Sequence, residues 1–462
     1  MTHYDLAVIG TGSGNSIVNE ELADRRVAIL ERGVFGGTCL NVGCIPTKMF
    51  VYPADVARSA AHGPDLGLDT RFEDADWPAI RDRIFARVDA MATVGKAYRE
   101  GLPNVDVYTG SCRFTGPRQI DTGTGQEITA DQVVIAAGSR AVVPDIPGLD
   151  TVEHHTSDTV MRLAHFPARV GIIGGGFVAA EFAHIFSAYG AQVTQVHRGS
   201  RLLAQEDDEI SARFTQIVQQ QWGVRLRTTL TSVQPAQPGP GIVMHLDDAS
   251  TVEVDVLLLA TGRRPNSDQL DLATTGVEVS ADGRVVVDEH QRTTAEGIWA
   301  LGDISSPDQL KHVANQDARV VQHNLLHPDD LVTSNHGAVP SAVFSSPQVA
   351  SVGLAERAAR ERGIDVVAVT QAYGDVAYGW AMEDHAHLVK LVADRSTGML
   401  VGAHLVGPQA SILIQPLIAA MSFGQPVAGL ARGQYWIHPA LSEVVENALL
   451  RLESLLGRGT RL

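Results

Sequence analysis

Two cysteines, Cys39 and Cys44, stand five positions apart in Gly36-Gly37-Thr38-Cys39-Leu40-Asn41-Val42-Gly43-Cys44-Ile45-Pro46-Thr47-Lys48. Two thiols so spaced at the start of a helix can reach each other across its first turn. A helix N-terminus favours the thiolate there. A metal site would need further ligands, and no CxxC or HxxxH partner accompanies the pair. A structural disulfide does not suit a cytoplasmic protein. The spacing points to redox activity, with a metal site or an inert pair as the alternatives. The third cysteine, Cys112, has no motif around it and is expected to be buried and structural. Lysine is scarce: Lys48, Lys96, Lys311 and Lys390 are the four in the chain, so a lysine near the pair stands out. Lys48 follows Cys44 by four residues, which puts both on one helix face.

A strand–turn–helix–strand pattern occurs twice and is what must position such a pair. Asp5-Leu6-Ala7-Val8-Ile9 leads into Gly10-Thr11-Gly12-Ser13-Gly14-Asn15, a helical stretch, and the strand Val27-Ala28-Ile29-Leu30 ending at Glu31. Val170-Gly171-Ile172-Ile173 leads into Gly174-Gly175-Gly176-Phe177-Val178-Ala179, a second helix, and Gln192-Val193-Thr194-Gln195-Val196. This is the dinucleotide-binding βαβ pattern: glycines permit a tight turn, and a helix N-terminus faces the pyrophosphate. Two ordinary strand–helix turns are the bland alternative. Asn15 stands where Gly or Ala is usual, which puts the helix–strand packing of the first copy in question.

Val133-Val134-Ile135-Ala136-Ala137-Gly138 and Val256-Leu257-Leu258-Leu259-Ala260-Thr261-Gly262-Arg263 suit buried parallel strands ending in glycine turns. Gly297-Ile298-Trp299-Ala300-Leu301-Gly302-Asp303 puts an aspartate at a strand end. Beyond about residue 335, alternating runs such as Ala338–Phe344 and His387–Val392 predict antiparallel strands, and Ser442–Leu456 predicts an amphipathic helix. Pro235–Pro240 reads as a hairpin loop. The expected class is α/β: two Rossmann-like dinucleotide-binding domains plus a C-terminal α+β dimerisation domain. The expected boundaries are 1–148 for the first domain with the cysteine pair, 149–262 for the second, 263–334 for a segment completing the first, and 335–462 for the last.

With 36 basic against 53 acidic residues the formal charge is −17, which argues against a nucleic-acid partner. No apolar run reaches the roughly 18–20 residues of a membrane helix. Met1-Thr2-His3-Tyr4-Asp5 lacks a basic n-region and an apolar signal core. A soluble cytoplasmic protein is expected, with no membrane partner.

The CxxxxC after a first glycine turn, the second GxGxxA, Ala260-Thr261-Gly262-Arg263 and Leu301-Gly302-Asp303 together resemble the flavoprotein disulfide reductases, along essentially the whole chain. That family includes glutathione reductase, dihydrolipoyl dehydrogenase and mercuric reductase. His438-Pro439-Ala440-Leu441-Ser442-Glu443 resembles the family's HPTxxE, with Ala440 in place of Thr. Gly10–Ser16, Gly374–Asp384 and Gly433–Leu441 resemble the branch that acts on mycothione, the disulfide of mycothiol. The NAD-linked dihydrolipoyl dehydrogenases and a glutathione-reductase-like enzyme are the alternatives, and a non-enzymatic flavoprotein redox sensor is a distant one. Mercuric reductase fits less well, because Gly457-Arg458-Gly459-Thr460-Arg461-Leu462 carries no cysteine pair.

The resemblance implies FAD on the first unit and NADPH on the second, and no metal. FAD would be held by Gly10, Gly12, Gly14, Gly37, Thr38, Lys48 and Gly138. Glu31 would accept ribose hydroxyls, Asp303 would bind near the ribityl or pyrophosphate, and the helix start at Val313 and Ala314 would face the flavin. The nicotinamide nucleotide would lie on Gly174, Gly176, Ala179 and Gly262, with Phe177 as a lid and Lys48–Glu181 beside the flavin. An NAD site would place an acid after the second strand. His197, Arg198 and Arg201 stand there instead and suit a 2′-phosphate; two solvated arginines on an NADH enzyme are the alternative. NADPH would reduce FAD, which opens the Cys39–Cys44 disulfide. Cys44 would be the flavin-side thiolate, and the more exposed Cys39 would attack the substrate disulfide. His438, oriented by Glu443, would be the acid/base. In the family this pair comes from the other subunit of a homodimer.

Overall fold

Continuous apolar runs bury both faces of a strand and so favour parallel sheets covered by helices. In the computed structural model, which describes residues 1–457, two such sheets form. The first runs Val105–Tyr108, Val27–Leu30, Thr2–Ile9, Glu127–Ile135 in parallel order, with Ile298–Ala300 also parallel beside Glu127–Ile135. Val8 pairs with Ile29 on one side and Val134 on the other. The second sheet is wholly parallel, in the order Gly223–Leu226, Gln192–His197, Arg169–Ile173, Val256–Leu259, His154–His155. An antiparallel three-stranded sheet lies within the same unit, and its 236–241 connection is the Pro/Gly-rich hairpin loop. The C-terminal sheet has five antiparallel strands: Pro340–Val343, Gln348–Gly353, Leu400–Gly407, Leu388–Asp394 and Val366–Ala372. The class is the expected α/β with two Rossmann-like units and an antiparallel α+β unit. The terminal stretch 458–462 lies outside the described residues.

The helices that matter to the site are α1 (Gly37–Asn41), α2 (Cys44–His62), α3 (Trp77–Glu100), α4 (Phe177–Ala188), α5 (Asp208–Val218), α6 (Lys311–Leu326), α7 (Glu356–Glu361) and α8 (Ser442–Leu456). Helices α2, α3 and α4 meet in an aromatic cluster. Trp77 stacks on Phe50 at 5.0 Å between ring centroids and on Phe186 at 5.9 Å. The Trp77 indole N–H donates to Leu163 O at 2.8 Å, and the Tyr189 hydroxyl donates to Phe50 O at 2.7 Å. Removing a buried ring of this kind costs about 3–5 kcal/mol. Helix α8 buries Val444, Val445, Ala448, Leu449 and Leu452, a helical-period stripe, against the C-terminal sheet.

Two expectations need correction. The first glycine turn is not followed by an α-helix. Two 3₁₀ turns, Gly14–Ile17 and Glu20–Leu22, separated by extended Val18, take its place. Arg99 of α3 packs against this stretch. Its Nε donates to Asn15 Oδ1 at 2.9 Å and a terminal guanidinium nitrogen to the Asn15 carbonyl at 2.7 Å. Secondly, the cysteine pair does not span the first turn of one helix. Cys39 belongs to α1 and Cys44 opens α2. On one continuous helix, residues five apart would point about 140° apart. The break at Val42–Gly43 brings them together, and it needs a glycine: a Cβ at Gly43 would lie 2.9 Å from Thr38 O.

Candidate redox-active site

A cavity of about 740 Å³ lies between the two nucleotide-type units and the start of α2. Its wall includes Gly10, Gly12, Glu31, Gly37, Thr38, Gly138, Asp303 and Ala314, together with Cys39, Cys44, Lys48, Phe177 and Glu181. The first turn approaches the sheet closely. Gly10 has φ +101°, and a Cβ there would sit 2.3 Å from Ala136 O. At Gly12 a Cβ would meet no atom within 4 Å, so bare backbone faces the cavity. The Glu31 carboxylate stands beside the turn and accepts from the Thr11 N–H at 3.0 Å and the Gly33 N–H at 2.8 Å. Asp303 accepts from the Ser139 hydroxyl at 2.6 Å, with Arg263 Nε at 3.9 Å. A bare-backbone turn, an acid at its edge, a second acid and a helix start along one cavity fit an FAD-sized dinucleotide. Gly14 and Val313 do not line the cavity: Gly14 packs on Ala136 and Val8, and Val313 is buried.

Lys48 and Glu181 meet at the centre. The ammonium donates to both carboxylate oxygens at 2.7 Å and lies 4.8 Å from the centre of the Phe344 ring. Glu181 is 3% exposed and also accepts the Phe344 N–H at 3.0 Å. Glu181 comes from α4, four residues past Phe177, so both face the cavity.

Cys39 and Cys44 are free thiols. A hydrogen bond from Cys39 brings the Cys44 thiol down to about 7, against burial; Lys48 adds to the lowering. The same shared proton pushes Cys39 well up, and its burial adds to this. The proton of the pair therefore rests on Cys39 and the charge on Cys44. Cys44 is exposed and Cys39 half-buried, and both line the cavity. Cys44 opens α2 at the cavity wall, so its exposure is towards that cavity. Burial pushes Cys112 up to about 12, as suits an inert thiol in the first unit's core.

The second turn is regular. Gly176 precedes α4, Gly174 has φ +144°, and Ala179 is fully buried. Gly262 has φ +122° and faces open space. The His197 ring lies over Gly175 and Gly199, where a Cβ would come within 2.5 Å of it. The two arginines differ. Arg201 donates to Asp208 Oδ1 at 2.7 Å and to its carbonyl at 2.9 Å, so it is held inside its own loop. Arg198 is exposed and has no ion pair among the described residues.

His438 Nδ1 lies 2.6 Å from Glu443 Oε1, and Glu443 also accepts the Ala440 N–H at 3.2 Å. The hydrogen bond to His438 holds the Glu443 carboxyl below its ordinary range. The His438 side chain is 72% exposed, and neither residue lines the cavity that holds the cysteines. Tyr435 and Ile437 beside it are also exposed.

Ser139 carries no motif that marks it in the sequence, whereas Arg263 and Ser13 lie inside the Ala260–Arg263 and Gly10–Asn15 runs without a role assigned to them. Ser139 and Arg263 flank Asp303, and Ser13 accepts from the Lys311 ammonium at 2.9 Å. Lys311 opens α6, two residues before Val313 in the helix start expected to face the flavin, so its position as well as its rarity points to it. Among the described residues no helix is long and apolar enough to cross a membrane, and no group of three or more His, Cys, Asp or Glu could hold a metal ion.

Residues 4–318 match the family described as pyridine nucleotide-disulphide oxidoreductase, and residues 339–449 match that family's dimerisation domain. The chain is 55% identical to a mycothione reductase of Mycobacterium tuberculosis, covering 98% of this chain and 100% of that protein. It is 34% identical to a glutathione reductase of Burkholderia cepacia, covering 95% and 97%. Among solved structures it is similar to the HOCl-induced flavoprotein disulfide reductase RclA from Escherichia coli, with a TM-score of 0.86 at 28% identity over 97% and 99% of the two chains.

Proposed function

The chain belongs to the pyridine nucleotide-disulphide oxidoreductases, and from that premise we propose that it reduces mycothione to mycothiol at the expense of NADPH. It is an FAD-dependent oxidoreductase of a small-molecule disulfide and a homodimer, as its family and its dimerisation domain require. The full-length likeness to the tuberculosis enzyme supports mycothione as the substrate. NADPH oxidation measured in parallel with mycothione, glutathione disulfide and lipoamide tests it. Mycothione should lead in kcat/KM by about 100-fold or more, less than the roughly 10⁴-fold by which a site built to hydrogen-bond its substrate can reject an analogue lacking those groups. Comparable values for either competitor would overturn the assignment.

The segments 1–148 and 263–334 would together hold FAD and the cysteines, 149–262 the nicotinamide nucleotide, and 335–462 the dimer contact. Bound FAD supplies the two-electron link between nicotinamide and the cysteine pair. Around it, Gly10, Gly12 and Gly37 offer backbone, while Glu31 and Asp303 offer carboxylates to hydroxyls. Lys48, fixed by Glu181, keeps positive charge beside Cys44 and so favours its thiolate. Phe177 covers the nicotinamide side of the cavity, and Arg198 pairs with the 2′-phosphate.

Cys39 gives up its proton to His438 of the partner subunit and attacks one sulfur of the substrate disulfide. That S–S bond breaks as the Cys39–substrate bond forms. The departing thiolate takes the proton back from His438 of the partner subunit, whose tilt Glu443 fixes. The Cys44 thiolate then attacks Cys39, closes the intramolecular disulfide and expels the second product as a thiolate, which takes its proton from solvent. The absence of His438 and Glu443 from the cavity wall of their own chain supports a site shared between subunits. The reaction belongs in the cytoplasm, where thiols are kept reduced.

A further inference from the structure

One lysine has no part in this chemistry. Lys390 lies on the Leu388–Asp394 strand of the C-terminal sheet with its side chain only 8% exposed. Its ammonium is 2.9 Å from Asp207 Oδ1 and 2.9 Å from Glu356 Oε2. Asp207 caps α5 by accepting the Glu209 N–H at 3.0 Å, and its other oxygen accepts the Glu356 N–H at the start of α7, at 3.2 Å. Asp207 belongs to a run of four acids, Glu206-Asp207-Asp208-Glu209. Each is taken by the C-terminal unit. Ser351 donates to Glu206, Arg357 lies 3.2 Å from Asp208, and Thr370 donates to Glu209 at 3.1 Å.

The segment carrying this run begins at the nucleotide site. Arg198 directly follows the Gln192–His197 strand. Between the two ends, the Leu203 N–H donates to Gly175 O of the second glycine turn at 2.7 Å, and Arg201 folds back onto Asp208. Residues 198–209 thus run from the glycine turn to a buried ion cluster in another unit, with Gly199 O accepting the Arg227 N–H at 2.9 Å and Leu202 held by Thr215 and Ser211 of α5 along the way. Acids in a first helical turn gain from the helix dipole wherever they point. Burying Asp207 against a lysine costs desolvation and needs fixed geometry, so its return is placement.

We infer that Lys390, through the acidic run 206–209, is a positioning residue for cofactor choice: it fixes the loop that presents Arg198 to the 2′-phosphate. The inference rests on the proposal that Arg198 pairs with that phosphate. Flavin-loaded Lys390→Met should raise KM for NADPH by roughly fivefold or more relative to NADH, with kcat at saturation within about twofold. Because the single change leaves two carboxylates facing each other, the charge-balanced Lys390→Met/Asp207→Asn/Glu356→Gln variant serves as a second test. Arg357→Ala, on the exposed edge of the latch, should move the ratio the same way by less. A merely structural role lowers Tm and leaves the NADPH/NADH ratio alone, and an unchanged ratio in these folded variants overturns the inference. Arg198→Ala is the control: if it fails to shift the ratio, the fault lies with the 2′-phosphate reading instead.

Discussion

The two glycine turns share a pattern and diverge immediately beyond it. In the second, Ala179 is fully buried against the sheet and α4 runs unbroken for 12 residues. In the first, Asn15 occupies the same offset, Arg99 takes its side chain and carbonyl, and the chain makes 3₁₀ turns. The bare-backbone turn survives in both; the helix after it does not. A dinucleotide needs the turn and its nearest N–H groups. Beyond the first turn the chain packs on a buried arginine 84 residues away.

The strongest way to break the comparison is to add a methyl to each turn. A Cβ at Gly10 would strike Ala136 O at 2.3 Å, and one at Gly174 would strike Ala260 O at 2.2 Å, both at positive φ. Gly10→Ala should therefore purify without flavin. Gly174→Ala should remain yellow yet show no NADPH-driven reduction. Flavin content and stopped-flow reduction distinguish the two, and a yellow, fully active Gly10→Ala protein would refute the first cradle.

A change downstream of both turns should spare both. His438→Ala should leave reduction of the enzyme by NADPH intact while slowing disulfide turnover about 100-fold or more, as for a positioned acid/base. Single-turnover measurement of the two half-reactions checks this. Within the second unit, Arg198→Ala should raise KM for NADPH by about 10-fold or more, from loss of a charge-assisted bond worth roughly 1.5–3 kcal/mol. Arg201→Ala, which loses a contact internal to its loop, should do less.

Within the first unit, the cysteines should label differently with pH. With Cys44 lowered to about 7, alkylation of the reduced enzyme by iodoacetamide should rise as pH increases through about 7 and be lost below it. Cys44→Ser should remove that rise; Cys39 then loses the thiol hydrogen bond that chiefly raises it and keeps only the raising effect of its burial. The smallest effect falls on the divergence itself. Asn15→Ala should cost only about 1 kcal/mol in denaturant unfolding, because Arg99 keeps the carbonyl contact.

Much of the frame was legible from local pattern. The parallel strands announced themselves as apolar runs, and α8 spans Ser442–Leu456 as its periodicity required. Some expectations failed across long separations and others within a few residues. Nothing near Asn15 announces Arg99, and nothing near Ser13 announces Lys311, 298 residues on. The α1–α2 break could have been read: five-residue spacing is wrong for one helix face, and Gly43 stood between the cysteines. The fork from Arg201 to Asp208 spans seven residues, yet it depends on a loop conformation that spacing does not dictate.

On the proposed shared site, the exposed His438, flanked by Tyr435 and Ile437, would give the enzyme a dependence on its own abundance. A separated chain keeps its whole cavity and both glycine turns, so it can still accept electrons. On that proposal it would lack the imidazole that the partner supplies. On dilution below the dimer's dissociation constant, disulfide turnover per chain should decline, while transfer to an artificial one-electron acceptor persists. The same protein would then work as a thiol-regenerating enzyme when plentiful and as an electron leak when scarce.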